Sequence, residues 1–348
     1  MIENNIKAFS KLGKIFEDFV NGNNYNSEFY EILNNAVLKS FQENQWFIED
    51  FVKYSIKVWA LTLKEEKINQ WIRPYKINVK NIKTAGVIMP GNLPLAGLHD
   101  FICVLITGNN FVGKLSSKDK VLLPSIAKIL IKIDSSFKDK INFVDDSSKL
   151  SNFDFIIATG SDNTSRYFEY YFSKYPHIIR KNRVGVAVLT GNEKEKELEN
   201  LADDIFLYFG LGCRNVSKIF VPDDYNFDGL FNAFKKYSFL KNHNKYYNNY
   251  EFYKAIYLVN KDNFLDNGFI ILKNDTKLVS PIAVVFFEKY SSEKQLETIL
   301  EKHLDKLQCI CSNYFKYHNV VPLGKSQSPE LWEYADNVDT IHFILNLN

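Results

Sequence analysis

From about residue 80 onward the chain alternates short apolar runs with amphipathic stretches, and this alternation restricts the fold more than any other feature. Ala85-Gly86-Val87-Ile88-Met89 reads as a buried strand stopped by Pro90. Residues 95–106 read as an apolar helix, 110–114 as a second strand and 122–133 as a second helix. Strands follow at 141–144 and 153–158, then an aromatic-rich helix at 166–175, a strand at 184–189 and a long amphipathic helix at 195–209. Continuously apolar strands separated by helices are the pattern of a parallel sheet covered on both faces. The expected fold class is therefore α/β, with a Rossmann-like parallel sheet.

The alternation continues with a strand at 216–221, helices at 228–238 and 249–258, strands at 269–273 and 282–287, and a helix at 293–307. This is a second α/β unit. Residues 320–327 read as a loop and 340–345 as a last strand. The first 75 residues differ. Ile6, Phe9, Leu12, Ile15 and Phe16, and again Phe47, Phe51, Tyr54 and Val58, recur at helical spacing. The predicted division is a helical N-terminal segment (1–75) packed on the next domain, a nucleotide-binding domain (76–208), a cysteine-bearing catalytic domain (209–330) and a C-terminal tail returning to the sheet (331–348).

At 348 residues, two domains are the natural prior. The net charge of +2, with lysines scattered among acids, gives no electrostatic case for nucleic acid. Met1-Ile2-Glu3-Asn4-Asn5 does not read as a signal peptide, so none is expected, and runs such as 102–106 are too short to span a bilayer. Cys103, Cys213, Cys309 and Cys311 have neither the density of a disulfide scaffold nor the paired spacing of a zinc site, so no metal is expected and a reducing cytoplasm fits best.

Four segments could carry chemistry. In Phe209-Gly210-Leu211-Gly212-Cys213-Arg214-Asn215 a thiol follows two glycines and precedes an apolar run, which suits a nucleophile approached closely by a ligand; a packing thiol is the plain alternative. In Met89-Pro90-Gly91-Asn92-Leu93-Pro94 the Asn92 amide can donate to a developing oxyanion, or can cap the next helix. Lys114, Ser116 and Ser117 follow a strand, where a lysine can reach a ribose or phosphate and hydroxyls can bond phosphate oxygens, or where the lysine is simply solvated. No acid stands there to hold a ribose 2′-hydroxyl, which leans toward NADP over NAD. Thr159-Gly160-Ser161 passes from strand to helix, where N–H groups face a phosphate or an ordinary cap forms. No GxGxxG occurs.

In their order these segments resemble the aldehyde dehydrogenase superfamily. Gly91-Asn92-Leu93-Pro94 with His99-Asp100, Arg180-Lys181-Asn182-Arg183, Gly210-Leu211-Gly212-Cys213-Arg214-Asn215-Val216-Ser217 and Pro329-Glu330-Leu331-Trp332 are similar to the LuxC-type acyl-CoA reductases. The resemblance covers roughly residues 80 to 345. It implies an aldehyde dehydrogenase-like fold, Cys213 as nucleophile and Asn92 as oxyanion donor. It also implies NADP(H) held by Pro90, Gly91, Lys114, Ser116, Ser117, Thr159, Gly160 and Ser161, with Lys114 at the adenosine ribose or its 2′-phosphate.

The sequence departs from the superfamily in two places. Hydrolytic relatives carry a water-activating glutamate upstream of the cysteine, and the corresponding stretch here, His177-Ile178-Ile179-Arg180-Lys181-Asn182, has no carboxylate. A thioester on Cys213 would then persist to accept hydride. The ribose-binding glutamate usual near Ser280-Pro281 is also missing. The expected activity is NADPH-dependent reduction of an acyl thioester, from coenzyme A or acyl carrier protein, to an aldehyde through an acyl-cysteine made reactive by a helix dipole or by Arg214. An acyltransferase or synthetase partner and a homo-oligomer are expected. The alternatives are an NAD(P)-dependent aldehyde or semialdehyde dehydrogenase, and an inactive scaffold docking its partner through aromatic residues 167–172.

Overall fold

The computed structural model describes residues 2–77, 81–146 and 150–347. The chain divides into two compact units, Met1–Lys181 with Glu330–Asn348, and Asn182–Pro329. The first opens with α1 (Ile2–Val20), α2 (Glu28–Glu43), α3 (Glu49–Thr62) and α4 (Glu65–Ile72). Ile6, Phe9, Leu12, Phe16 and Phe19 of α1 recur every three or four residues and are all buried, which is why this segment is helical and which face it hides. The Ser27 hydroxyl starts α2 by accepting from Tyr30 N.

Next come β1 (Thr84–Ile88), α5 (Leu98–Ile106), β2 (Asn110–Lys114), α6 (Leu122–Ile133), β3 (Ile141–Val144), β4 (Phe155–Thr159), α7 (Asp162–Phe172) and β5 (His177–Arg180). The strands form one parallel sheet in the order β3-β2-β1-β4-β5. The N-terminal helices, α5, α6 and one face of the sheet share a continuous apolar core. Strand order reverses between β1 and β4, and the carboxyl ends of strands at such a switch point are where ligands bind in open α/β sheets.

The second unit contains β6 (Val184–Val188), α8 (Glu195–Phe206), β7 (Val216–Pro222), α9 (Asp228–Phe234), a 3-10 helix (Lys235–Asn242), α10 (Asn244–Val259), β8 (Phe264–Asp266), β9 (Ile271–Asn274), β10 (Val284–Tyr290), α11 (Glu293–Glu301), β11 (Leu307–Cys311) and β12 (Val320–Val321). Its sheet runs β12-β11-β6-β7-β10-β9-β8, parallel except where β8 meets β9.

The structure differs from the sequence reading at three points. The break falls at residues 181/182 rather than 208/209, because β6 pairs with β7 and β11 and α8 is the crossover between β6 and β7. The helix expected to run to residue 307 stops at Glu301, and Leu307–Cys311 is a fully buried strand, so Cys309 and Cys311 are strand residues. The tail at 340–345 is a helix, α12 (Thr340–Leu345), rather than a strand. Asp339 caps it by accepting from His342 N, and Ile341 and Ile344 are buried three residues apart, a helical rather than an alternating period.

Candidate active site

α8 ends at Phe206, and the chain then turns through Tyr208, Phe209 and Gly210 at φ of 55°, 58° and 74°. Left-handed backbone is ordinary for Gly210 but strains two large aromatic residues by roughly 1–3 kcal/mol each. Burial holds them there: Phe209 packs on the His243 ring at 4.4 Å and on Tyr246 at 5.9 Å between centroids. The reversal delivers the chain to a tight turn over 212–215, closed by Asn215 N donating to Gly212 O at 3.1 Å. Cys213 sits in this turn and is exposed, whereas Cys103, Cys309 and Cys311 are buried. A packing role for Cys213 is thereby removed.

Asn215 holds the turn. It is buried, its Nδ2 donates to the carbonyls of Asp204 at 2.9 Å, Leu207 at 2.9 Å and Ile205 at 3.4 Å, and its Oδ1 accepts from Gly212 N at 2.8 Å. The last carbonyls of a helix lack intrahelical donors, and this amide supplies them. Gly185 of β6 permits the close approach, since a Cβ there would lie 2.6 Å from Arg214 O and 2.8 Å from Asn215 O. The turn leads into β7 and not into a helix, so this segment builds no helix dipole at the thiol; Arg214 is the adjacent cation.

Asp204, also on α8, is fully buried. Its carboxylate accepts from Gly324 N at 2.6 Å and Ser326 N at 3.0 Å, tying the 324–326 loop to the helix whose end Asn215 grips. Burial lifts its carboxyl to about 6 despite these donors. Sequence reading overlooked this residue. The available signal was an acid beside Leu201, Ala202 and Ile205 on the apolar face of an amphipathic helix.

The first unit gathers the remaining candidates at the carboxyl edge of its sheet. Pro90, Gly91 and Asn92 follow β1, Lys114, Ser116 and Ser117 end or follow β2, and Thr159, Gly160 and Ser161 end or follow β4. β1 lies between β2 and β4, with Ile88 in register with both Lys114 and Ala158. Gly91 and Ser116 touch: a Cβ on Gly91 would stand 2.2 Å from Ser116 Oγ. Asn92 is exposed and does not cap α5, whose N-cap is Gly97. Lys114 and Ser116 are half-buried and Ser117 is exposed. Ser161 does cap its helix, accepting from Thr164 N at 3.3 Å, and Gly160 leaves the room that Phe168 and Thr164 of α7 fill.

The N-terminal helices reach this edge. Ser55 Oγ of α3 donates to Pro94 O at 3.0 Å, and Asn44 Nδ2 at the end of α2 donates to Lys118 O at 3.1 Å. Asn5 of α1 donates to Leu105 O at 3.0 Å, at the end of α5.

Other motif residues have structural work within the first unit. Arg180 and Asp100 form a buried two-pronged ion pair, Nη1–Oδ2 at 2.5 Å and Nη2–Oδ1 at 2.8 Å, and Nη2 also donates to Thr340 Oγ1 at 3.0 Å. The stretch lacking a carboxylate is thus β5 and the residues leaving it. Glu330 pairs with Lys67 at 2.6 Å, and His99 Nε2 bonds Leu331 O at 2.9 Å among Trp71 and Tyr334. In the second unit, Ser280 is spent on Val284 O at 2.6 Å. On α7, Phe168 and Phe172 pack on the sheet while Tyr167, Tyr170 and Tyr171 remain exposed.

The family model for acyl-CoA reductases (LuxC) matches residues 74–233, somewhat under half of the chain. No curated protein matches by sequence. Solved structures of aldehyde dehydrogenases share the fold. Aldehyde dehydrogenase 21 from Physcomitrella patens, in complex with succinate, aligns at a TM-score of 0.63 and 14% identity over 99% of this chain and 87% of that one. A mutant indole-3-acetaldehyde dehydrogenase from P. syringae, in complex with NAD+ and IAA, aligns at 0.63 and 11% over 93% and 73%. The NAD+ complex of a Bacillus cereus aldehyde dehydrogenase aligns at 0.61 and 13% over 89% and 71%. Both sheets and the helical N-terminus therefore belong to an aldehyde dehydrogenase-like α/β architecture.

Proposed function

We propose that this chain reduces an acyl thioester to an aldehyde, with Cys213 as the acyl acceptor and NADPH as the reductant. The observation that carries the reading is the Cys213 turn itself: an exposed thiol on a backbone fixed by a buried amide, within the reach of the acyl-CoA reductase match. The match and the fold support an aldehyde-related oxidoreductase. The finer assignment to thioester reduction rests on the chemistry of the residues.

The donor set at the edge of the first sheet fits a nicotinamide nucleotide. It offers a half-buried cation, three hydroxyls and a glycine that lets two turns meet, and residues 114–118 contain no carboxylate that would repel a 2′-phosphate. Lys114, Ser116, Ser117 and Thr159 would hold the phosphates and ribose, with Pro90, Gly91, Gly160 and Ser161 shaping the backbone around them. When bound, the reduced nicotinamide supplies hydride.

The rest falls to the chain's own groups. Cys213 Sγ, as thiolate, attacks the thioester carbonyl, and the thiol of coenzyme A or of a carrier protein leaves as the acyl group moves to Cys213. The Cys213 backbone N–H and the Asn92 amide are assigned to the oxyanion. After reduction, the thiohemiacetal on Cys213 expels the thiolate and releases aldehyde. A carboxylate that would activate water is missing from residues 177–182, and Arg180 there is committed to Asp100, so this stretch supplies no base for hydrolysis.

The test is consumption of NADPH absorbance by purified protein offered short, medium, long and aromatic acyl-CoAs. Turnover that disappears in Cys213→Ala supports the proposal. Failure with every acyl-CoA, or acid formed from aldehyde and NAD(P)+ without coenzyme A, overturns it.

A further inference from the structure

The second unit carries a cleft that the reaction described above does not use. It has a volume of about 250 Å3 and lies between the 3-10 helix at 235–242 and the turn at 267–269. A 3-10 helix has about 3 residues per turn, so side chains three apart stack on one face. Lys235, Ser238 and Lys241 are spaced in this way, and all three line the cleft. Phe231, Asn267, Gly268 and Phe269 complete its lining.

The charges are available. Lys236, on a different face of the same helix, is committed to Asp203 at 2.6 Å and to the Glu199 carbonyl. Among the described residues, Lys235 and Lys241 make no ion pair. The residue before the facing turn is an acid, Asp266, whose carboxylate accepts from Gly268 N at 2.8 Å. Its charge is matched by Lys254 at 2.7 Å, and it also accepts from Tyr250 Oη at 2.7 Å, so it does not neutralise the two lysines. The two are six residues apart, about 12 Å along the axis at ~2 Å per residue. That spacing suits two separate phosphates better than one. Phe231 is half-buried and offers a ring for stacking, while the Ser238 hydroxyl and Asn267 amide offer polar contacts. Whole-ligand pockets usually run from about 300 Å3 upward, so a smaller cleft suits one end of a long molecule.

We infer that this cleft binds a purine nucleoside bearing two separate phosphates, the adenosine 3′,5′-bisphosphate end of coenzyme A. Lys235 and Lys241 each meet one phosphate, and the base lies against Phe231. The identification with coenzyme A rests on the acyl-thioester reading; recognition of the bisphosphate does not.

Calorimetric titration of the full chain tests the two parts separately. Adenosine 3′,5′-bisphosphate and coenzyme A should bind, 4′-phosphopantetheine should not, and AMP should bind about tenfold more weakly for want of one charge-assisted contact. Lys235→Gln with Lys241→Gln should weaken both bisphosphates by about tenfold or more, leaving the unfolding midpoint and NADPH affinity unchanged because both side chains are exposed. No binding, equal binding to the double variant, or displacement of adenosine 3′,5′-bisphosphate by NADPH overturns the site. Bisphosphate binding without any reductase activity would sink the proposed function and keep the cleft. An active reductase whose KM for acyl-CoA is unmoved in the double variant would sink the cleft and keep the function.

Discussion

Asn215 Nδ2 donates to the carbonyl of Asp204 at 2.9 Å, across eleven residues of chain that include the exposed thiol. The end of α8 and the Cys213 turn are therefore one hydrogen-bonded body. Replacing Asn215 with Ala strips donors from the carbonyls of residues 204, 205 and 207 and an acceptor from Gly212 N. Each buried group left unsatisfied costs about 1–3 kcal/mol. Urea unfolding should show a loss of ~2–4 kcal/mol, and thiol alkylation of Cys213 should change in rate. A variant as stable as the parent would show that the clamp is dispensable.

One thiol per native chain should react quickly with iodoacetamide, because Cys213 alone of the four cysteines is exposed. Mass spectrometry should place the label on Cys213, and Cys213→Ala should show no fast phase while keeping its fold. Rapid labelling of Cys309 or Cys311 under native conditions would contradict the buried strand that holds them.

Gly91→Ala should damage the edge of the first sheet, since its new Cβ would overlap Ser116 at 2.2 Å. Overpacking of this kind costs about 1–3 kcal/mol. Adding Ser116→Gly removes both clashing atoms, so the double variant should regain most of the lost stability, while NADPH affinity measured by fluorescence stays reduced because the Ser116 hydroxyl is gone. Additive damage in the double variant would mean that the two turns do not meet as described.

Asp204 gives a pH signature with a defined sign. Its carboxyl is raised from 3.8 to about 6, chiefly by burial. The folded state thus favours the protonated form. The stability this group contributes is complete below about pH 3.8 and is lost as the pH rises through about 6. The span amounts to ~3 kcal/mol. Urea midpoints at pH 4.5 and 7.5 should fall with pH more steeply in the parent than in Asp204→Asn. Identical slopes would remove the assignment.

The parallel strands of the first sheet were legible because each is a compact apolar run bounded by turn residues, as at 84–88 and 110–114. The division at residue 181 was not. β5 and β6 belong to different sheets but look alike in sequence, because pairing partners of parallel strands lie far along the chain. β11 escaped notice because Leu307–Cys311 follows α11 closely and includes a buried Gln308. Cys213 could be picked out as a candidate, but its support could not. Asn215 bonds only to main-chain groups, which leave no trace in side-chain identity. The capping reading held for Ser161 and failed for Asn92, since the left-handed Leu95 (φ 61°) delays the start of α5 until Leu98.

Three amides and hydroxyls from the N-terminal helices, on Asn5, Asn44 and Ser55, end on carbonyls of α5 and of the turns beyond β1 and β2. The helical segment is consequently not a detachable module. A shortened chain starting at the first strand would leave those carbonyls without donors and uncover the apolar faces of α5 and α6 that α1 covers.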